Sequence, residues 1–128
     1  MSDADDIESI REQKIEQLKQ SLTSPDEPVH VEGADHFEDL TSDGVVLVDF
    51  YADWCGPCQM LEPVVEDIAA ETDATVAKVD VDEHQSLAGQ FGVQGVPTLL
   101  LYADGEQAER MVGAQDADRL RSVVESYA

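Results

Sequence analysis

The sequence has very few positive charges. Its 128 residues include 7 Lys and Arg against 29 Asp and Glu, so the formal net charge is −22 (7 − 29 = −22). Between Lys19 and Arg110 the only cation is Lys78. Nucleic acids and anionic membranes are both bound through basic patches, which argues against either as a partner of this chain.

So acidic a surface repels itself at low ionic strength. At about 1 M salt the Debye length falls to roughly 3 Å, and that repulsion is screened. One interpretation is therefore adaptation to a cytoplasm rich in salt. The alternative is a merely acidic, soluble protein, but a charge this one-sided favours the interpretation of high salt.

Long apolar runs are also missing. No stretch of 18 apolar residues occurs, which predicts no membrane-spanning helix. The first residues, from Met1 to Asp6, are acidic and have no apolar segment of the kind found in secretory signals. We therefore expect a cytoplasmic location, where stapling disulfides are uncommon.

The chain is long enough for one domain with a modest appendage. Apolar residues at positions 7, 10, 15, 18 and 22 predict an amphipathic helix over residues 2–22, and Pro25 and Pro28 mark a linker. We predict a helical extension with its linker at 1–27 and a domain at 28–128. Docking of the helix on its own domain, docking on a partner, and a surface helix without a specific role all stay open.

Beyond the linker, strand and helix patterns alternate. Strands are predicted at 29–31, 45–51, 75–81, 98–102 and 106–112, and helices at 34–40, 57–71, 84–91 and 116–127. The last helix is expected to bury Leu120, Val123, Val124 and Tyr127. Early strands joined by helices predict parallel pairing and the late pair predicts an antiparallel edge, so the fold class is α/β in the order βαβαβαββα.

Cysteine is scarce, and both cysteines lie in one short motif, at Cys55 and Cys58. A structural zinc site needs four ligands, and neither His30, His36 nor His84 has the spacing of a zinc finger. A static disulfide across so short a loop would constrain the unfolded chain little. The pattern therefore favours redox chemistry over a metal site or a structural staple.

The position of the pair supports that interpretation. It lies where a buried strand ends and a helix begins, so free backbone N–H groups and the helix dipole favour a thiolate at Cys55. Gly56 allows a close backbone approach, and Pro57 suits the first helical turn. We expect an exposed, anionic Cys55 that attacks a substrate disulfide and a Cys58 that resolves the mixed disulfide.

An acidic residue, Asp49, interrupts the apolar strand at 45–51. Burial would raise its pKa, and a carboxylate of raised pKa near the thiols can act as a general base for Cys58. The alternative is that Asp49 faces a wetter side of the strand. Lys78 lies on the next predicted strand and is expected to face and tune Asp49, unless it is a surface lysine.

These motifs together resemble the thioredoxin family over about residues 28–128. The features that carry the resemblance, in register, are Val48-Asp49-Phe50, Trp54-Cys55-Gly56-Pro57-Cys58, Pro63, Gly95-Val96-Pro97-Thr98, Asp104-Gly105 and Val112-Gly113-Ala114. The resemblance implies a thioredoxin fold, in which helices flank a central mixed sheet. Tyr51 and Gln59 depart from the family pattern, which often has Trp and Lys there.

The resemblance also implies roles for particular residues. Cys55 would be the nucleophile and Cys58 the resolving thiol of a redox-active disulfide, with no bound cofactor and no metal. Asp49 would be the buried acid. The modulating residues would be Lys78, Pro97, Trp54, Gly56 and Pro57, with Pro97 as a cis-proline against the disulfide. The groove for a substrate segment would be formed by Trp54, Gly95, Val96, Pro97, Val112, Gly113 and Ala114.

Two of these assignments have simpler alternatives. Pro97 is also compatible with a trans proline that opens a strand. Val96 and Val112 are compatible with ordinary core packing.

The Gly-Pro spacer resembles that of reducing members of the family. With this spacer, the resemblance implies a monomeric, cytoplasmic disulfide reductant that carries electrons from a thioredoxin reductase-type donor to disulfide-containing client proteins. Two alternatives stay open. One is a disulfide oxidase or isomerase, and the other is a non-redox binding or scaffold module on the same fold.

Overall fold

The computed structural model describes residues 25–128, so the helix predicted at 2–22 lies outside the described residues. The elements in chain order are β1 Val29–His30, α1 Ala34–Thr41, β2 Val45–Tyr51, α2 Gly56–Glu71, β3 Thr75–Asp80, α3 Gln85–Gln90, β4 Thr98–Ala103, β5 Glu106–Val112 and α4 Ala117–Tyr127. Each end lies within one residue of its predicted position. The helices and strands predicted for this part of the chain are confirmed.

The strands form one five-stranded sheet in the order β1-β3-β2-β4-β5. β3 pairs in parallel with β1 and β2, whereas β4 is antiparallel to both β2 and β5. Parallel neighbours need a crossover, which α2 supplies between β2 and β3. The mixed α/β sheet predicted from the element order is therefore confirmed, with β2 at its centre.

Side chains of the central strand alternate between two helical layers. Val48 and Phe50 join the core formed with α1 and α3, which includes Phe37 and Leu87. Leu47 joins the core formed with α2 and α4, whose fully buried members include Val65, Ile68, Leu120 and Val124. Burying each such side chain contributes about 1.5–3 kcal/mol, so both helical layers are held by the sheet.

The β4–β5 hairpin turns at Asp104 and Gly105, whose φ angles of 49° and 87° are both positive. Positive φ at both central residues defines the type I′ turn that matches the twist of two adjoining strands. A Cβ at position 105 would also lie 3.2 Å from the Ser42 carbonyl oxygen. The positive φ favours glycine there, and a larger residue would crowd the Ser42 carbonyl.

One predicted core position is wrong. Tyr127 was expected to face inward, but it is 40% exposed and its hydroxyl donates a hydrogen bond to Glu109 Oε1 at 2.8 Å. It is the last residue of α4, where a phenol can keep its polar end hydrated. Leu120 and Val124 carry the buried stripe of this helix, and Val123 is half-buried.

Candidate active site

The first turn of α2 places the cysteine pair. Cys55 is the N-cap residue, with extended backbone angles (φ −87°, ψ 111°), and its Sγ accepts a hydrogen bond from the Cys58 N–H at 3.2 Å. The first N–H groups of a helix lack intrahelical acceptors, so an N-cap side chain normally accepts one of them. Here that acceptor is sulfur, and the same contact favours negative charge on Cys55.

The two residues between the cysteines are both exposed. Pro57 lies in the first turn of α2, where its missing N–H leaves no helical bond unmade. The close approach expected at Gly56 is not found in the described part of the chain, because a Cβ built there would meet no atom within 4 Å. Space around residue 56 therefore does not require glycine.

Cys55 and Cys58 lie at disulfide distance, with their Cα atoms 5.2 Å apart. The expectation of an exposed Cys55 is wrong for this oxidised form, since Cys55 is 4% exposed and Cys58 is 3% exposed. Both pack in a small apolar cluster with Ala52, and the partly buried Val96 covers it. What distinguishes the two sulfurs is position on the helix, since Cys55 precedes the first turn and Cys58 lies within it.

A second loop lies against the disulfide. The Val96–Pro97 peptide bond is cis, Pro97 is buried, and the Val96 carbonyl oxygen lies 3.7 Å from Cys55 Sγ. The Thr98 hydroxyl donates to the Gly95 carbonyl at 2.6 Å. The Gly113 N–H donates to the Pro97 carbonyl at 2.8 Å. The sulfur–oxygen contact and the Gly113–Pro97 bond bring together three segments that are far apart in sequence, at 55–58, 95–98 and 112–113.

Apolar side chains surround this junction in an exposed position. Trp54 is 71% exposed and Val112 is 64% exposed, so simple core packing does not describe Val112. Val96 and Gly113 are half-buried, whereas Gly95 and Ala114 are exposed. A water-exposed apolar rim around a reactive pair is the kind of surface that binds another protein segment.

Two further features near the cysteine pair were not found from the sequence. Met60 is 79% exposed, and the signal available was its position outside the buried stripe of α2. Asp82 accepts a hydrogen bond from Trp54 Nε1 at 2.9 Å. It comes from the segment after β3, 28 residues away in sequence, and no local pattern indicates that contact.

Asp49 lies in the middle of β2 and is only 1% exposed. This excludes a wetter side of the strand as its location. Both carboxyl oxygens lack a hydrogen-bond partner among residues 25–128. Burial raises the pKa of Asp49 from 3.8 to about 7, against the opposing effect of the Lys78 charge, and the nearby Glu62 charge raises it further.

Lys78 is directly opposite Asp49 in the parallel register of β2 and β3. It is 2% exposed, so it is not a surface lysine. Its Nζ lies 2.5 Å from Glu62 Oε2 and 4.1 Å from the centre of the Tyr51 ring. Lys78 therefore faces Asp49 as expected, but its ion pair is with Glu62, which was missed although it lies one helical turn after Cys58.

Among residues 25–128, no group of three or more His, Cys, Asp or Glu side chains is arranged to hold a metal ion. His36 Nδ1 accepts the Glu32 N–H at 3.0 Å, and His30 packs edge-on against Tyr51. These two histidines thus have local packing roles. Within the same residues, none of the helices is long and apolar enough to cross a membrane.

Comparison with known proteins gives a consistent result. The sequence model of the family described as Thioredoxin matches residues 27–126. Thioredoxin of Chlamydia muridarum is 46% identical over 100 residues, which cover 77% of this chain and 98% of that protein. Thioredoxin of Staphylococcus saprophyticus is 45% identical over 94 residues, covering 72% of this chain and 90% of that protein.

Solved structures agree with the sequence comparisons. A mutant thioredoxin from Halobacterium salinarum NRC-1 aligns with a TM-score of 0.79 at 65% sequence identity. The alignment covers 81% of this chain and 93% of that one. Both the sequence and the arrangement of strands and helices are therefore similar to those of known thioredoxins.

Proposed function

Because the chain belongs to the thioredoxin family, whose members are thiol-disulfide oxidoreductases, we propose that it is a cytoplasmic protein disulfide reductant. One observation carries this proposal: the Cys58 N–H donates a hydrogen bond to Cys55 Sγ at the start of α2. That contact and the helix dipole favour the thiolate, which is the attacking species in disulfide exchange. The Gly-Pro spacer, as in reducing relatives, supports reduction as the direction.

In the proposed first step, the Cys55 thiolate attacks one sulfur of a client disulfide. The client S–S bond breaks, the other client sulfur leaves as a thiolate and takes up a proton, and a mixed disulfide with Cys55 forms. The apolar rim of Trp54, Val96 and Val112 would bind the client segment. Pro97 and the Val96 carbonyl would align it beside Cys55.

In the second step, Cys58 passes its proton to the Asp49 carboxylate and attacks the Cys55 sulfur. The mixed disulfide breaks, the remaining client sulfur leaves and is protonated, and the Cys55–Cys58 disulfide forms. The client gains two electrons and two protons. A general base works best when its pKa is near the working pH, and the Asp49 pKa of about 7 meets that condition.

The oxidised pair must then be reduced by an external two-electron donor. We propose a thioredoxin reductase-type protein for this role and disulfide-containing proteins as clients, with the chain acting as a monomer. Gln59, where the family often has Lys, donates its side-chain amide to the Asp53 carbonyl at 2.9 Å. Partner docking would then rest on the apolar rim more than on a cation at that position.

The decisive experiment is reduction of insulin disulfides with dithiothreitol as the electron donor. We expect the wild type to accelerate reduction and Cys55→Ser to lose that acceleration completely. Cys58→Ser should accumulate a mixed disulfide with the client, detected by mass spectrometry without reductant. Gln90→Ser, on an exposed end of α3 in the other helical layer, is the matched control and should behave as wild type.

The alternatives predict different results. A binding or scaffold module would show no acceleration by the wild type and no trapped adduct. An oxidase would show a reduction potential near about −120 mV in glutathione buffers, whereas about −270 mV is typical of a reducing thioredoxin. Full activity of Cys55→Ser would contradict the proposed mechanism.

We also propose that residues 1–27 comprise an amphipathic helical extension and its linker, which precede the domain at 28–128. If the extension docks on the domain, deletion of residues 1–24 should lower the melting temperature by a few degrees. An unchanged melting temperature would contradict docking and leave a role with a partner or none.

A further inference from the structure

A buried lysine faces a buried carboxylate without pairing with it. Lys78 and Asp49 are neighbours in the register of β2 and β3, and they are 2% and 1% exposed. Yet no ion pair joins them, and both Asp49 oxygens lack a hydrogen-bond partner among residues 25–128. A buried charge without a partner is costly, so a lysine beside a carboxylate would ordinarily pair with it. Another contact must hold the ammonium group elsewhere.

That contact is with Glu62. The Lys78 Nζ lies 2.5 Å from Glu62 Oε2 and above the Tyr51 ring, 4.1 Å from its centre. The Glu62 side chain is 43% exposed and lines a surface cavity together with Glu66 and His30. Pairing with a partly hydrated carboxylate avoids the burial of a second charge, which favours Glu62 over Asp49 as the partner.

Few other groups can act on Asp49. The elements on its face of β2 contribute His30 on β1, Lys78 and Asp80 on β3, Leu99 on β4, Cys58 and Glu62 on α2, Leu120 and Val124 on α4, and Tyr51 on β2 itself. Burial raises the pKa of Tyr51 to about 12, so the phenol stays neutral. Of the charged groups on this face, Lys78 and Glu62 are the two whose charges act on the Asp49 carboxyl.

We propose that Glu62 is a positioning residue for disulfide exchange, which holds the Lys78 ammonium group on itself and leaves the Asp49 carboxyl free to take the Cys58 proton. The inference rests on the proposed reductant function, in which Asp49 is that proton acceptor. With Glu62 removed, the ammonium group would turn to Asp49 and stabilise its anion. The Asp49 carboxylate would then be a weaker acceptor for the thiol proton.

The test begins with Glu62→Gln, which keeps the shape of the side chain and removes its charge. Glu66→Gln is the matched control, one turn further along α2 and on the same cavity. In the oxidised full-length protein, the Asp49 carboxyl carbon is followed by NMR against pH. The midpoint of the Asp49 titration should fall by about one pH unit in Glu62→Gln and by less than about 0.3 in Glu66→Gln. Equal changes in both variants would overturn the proposal.

A Lys78→Met background separates positioning from simple charge repulsion. If Glu62 acts mainly through Lys78, Glu62→Gln should move the Asp49 midpoint clearly less once the lysine is absent, leaving only the direct effect of the Glu62 charge. If it acts only as a nearby negative charge, the change will be as large as in the wild-type background, and the proposal fails. Methionine fills a similar volume to the lysine stem, and the NMR spectrum reports whether the variant is folded.

A kinetic measurement relates the Asp49 titration midpoint to the rate of disulfide exchange. In Glu62→Gln, the acid limb of the pH–rate profile for single-turnover disulfide reduction should move to lower pH, as the Asp49 titration midpoint does. In Glu66→Gln it should not move. If the wild type reduces disulfides and neither quantity moves, the role of Glu62 is wrong and the proposed function stands. If the wild type reduces no disulfide, the proposed function is wrong, while the NMR midpoints still decide whether Glu62 controls Asp49.

Discussion

The two faces of β2 differ in what they bury. Towards α1 and α3 the strand presents only apolar side chains, including Val48 and Phe50. Towards α2 it presents Leu47 and then Asp49, which is as deeply buried but has no hydrogen-bond partner in the described part of the chain. The first face is organised for stability. The second gives up stability on the face whose next residue, Tyr51, packs against the cysteine pair, where a proton acceptor is useful.

The largest expected effect is on the apolar face. Phe50→Ala removes a ring that is fully buried and packs against Phe37 and Phe91, so it should lower the free energy of unfolding by about 3–5 kcal/mol. Urea unfolding measures this. The Asp49 titration should stay close to that of the wild type. A loss below about 1 kcal/mol would mean that this face is not the main source of stability.

On the other face, Asp49→Asn should increase stability at neutral and higher pH. The folded carboxyl has a pKa of about 7 and the ordinary value is 3.8, a gap worth up to about 4 kcal/mol. Between these pH values the folded state holds a proton that the unfolded state has lost. The wild type therefore loses stability as pH rises from about 4 to about 7, and the loss is complete above that.

Urea unfolding of both proteins at pH 4 and pH 8 tests the sign. The free energy of unfolding of the Asn variant should exceed that of the wild type at pH 8 and should differ little from it at pH 4. A gain that is the same at both pH values would contradict the raised pKa and point to a packing effect. Glu66→Gln, on the exposed side of α2, is the control. Its difference in stability from the wild type should be similar at the two pH values.

A smaller effect is expected from salt, which acts on the surface and not on either buried face. The formal charge of −22 underlies the interpretation that this surface is adapted to high salt. The melting temperature should rise as NaCl increases to molar levels. The rise should be equal in the wild type and Asp49→Asn, because Asp49 is buried. Equal stability in dilute buffer and molar salt would contradict that interpretation.

Much of the fold could be predicted because its signals are local. The apolar run at 45–51 predicts a doubly covered strand, and Asp104-Gly105 predicts the turn that joins β4 to β5. Inward-facing positions of α2, such as Leu61 and Ile68, follow from helical periodicity. The inward position expected for Tyr127 was wrong, because periodicity does not show how far a sheet extends beneath the end of a helix.

The candidate site was predictable only in part. The sulfur pair and the start of α2 belong to one short segment, and an acidic residue inside an apolar strand is visible in the sequence. The depth of Cys55 was not predicted, because its cover includes Val96, 41 residues away. The bond between Trp54 and Asp82 was missed for the same reason.

The sequence alone determined the order of helices and strands and the location of the thiols, because these patterns depend on neighbours a few residues apart. It did not determine the ion-pair partner of Lys78. Asp49 and Glu62 are both within its reach, and the choice between them depends on packing, hydration and the Tyr51 ring. Such choices depend on desolvation in three dimensions, and no spacing along the chain records them.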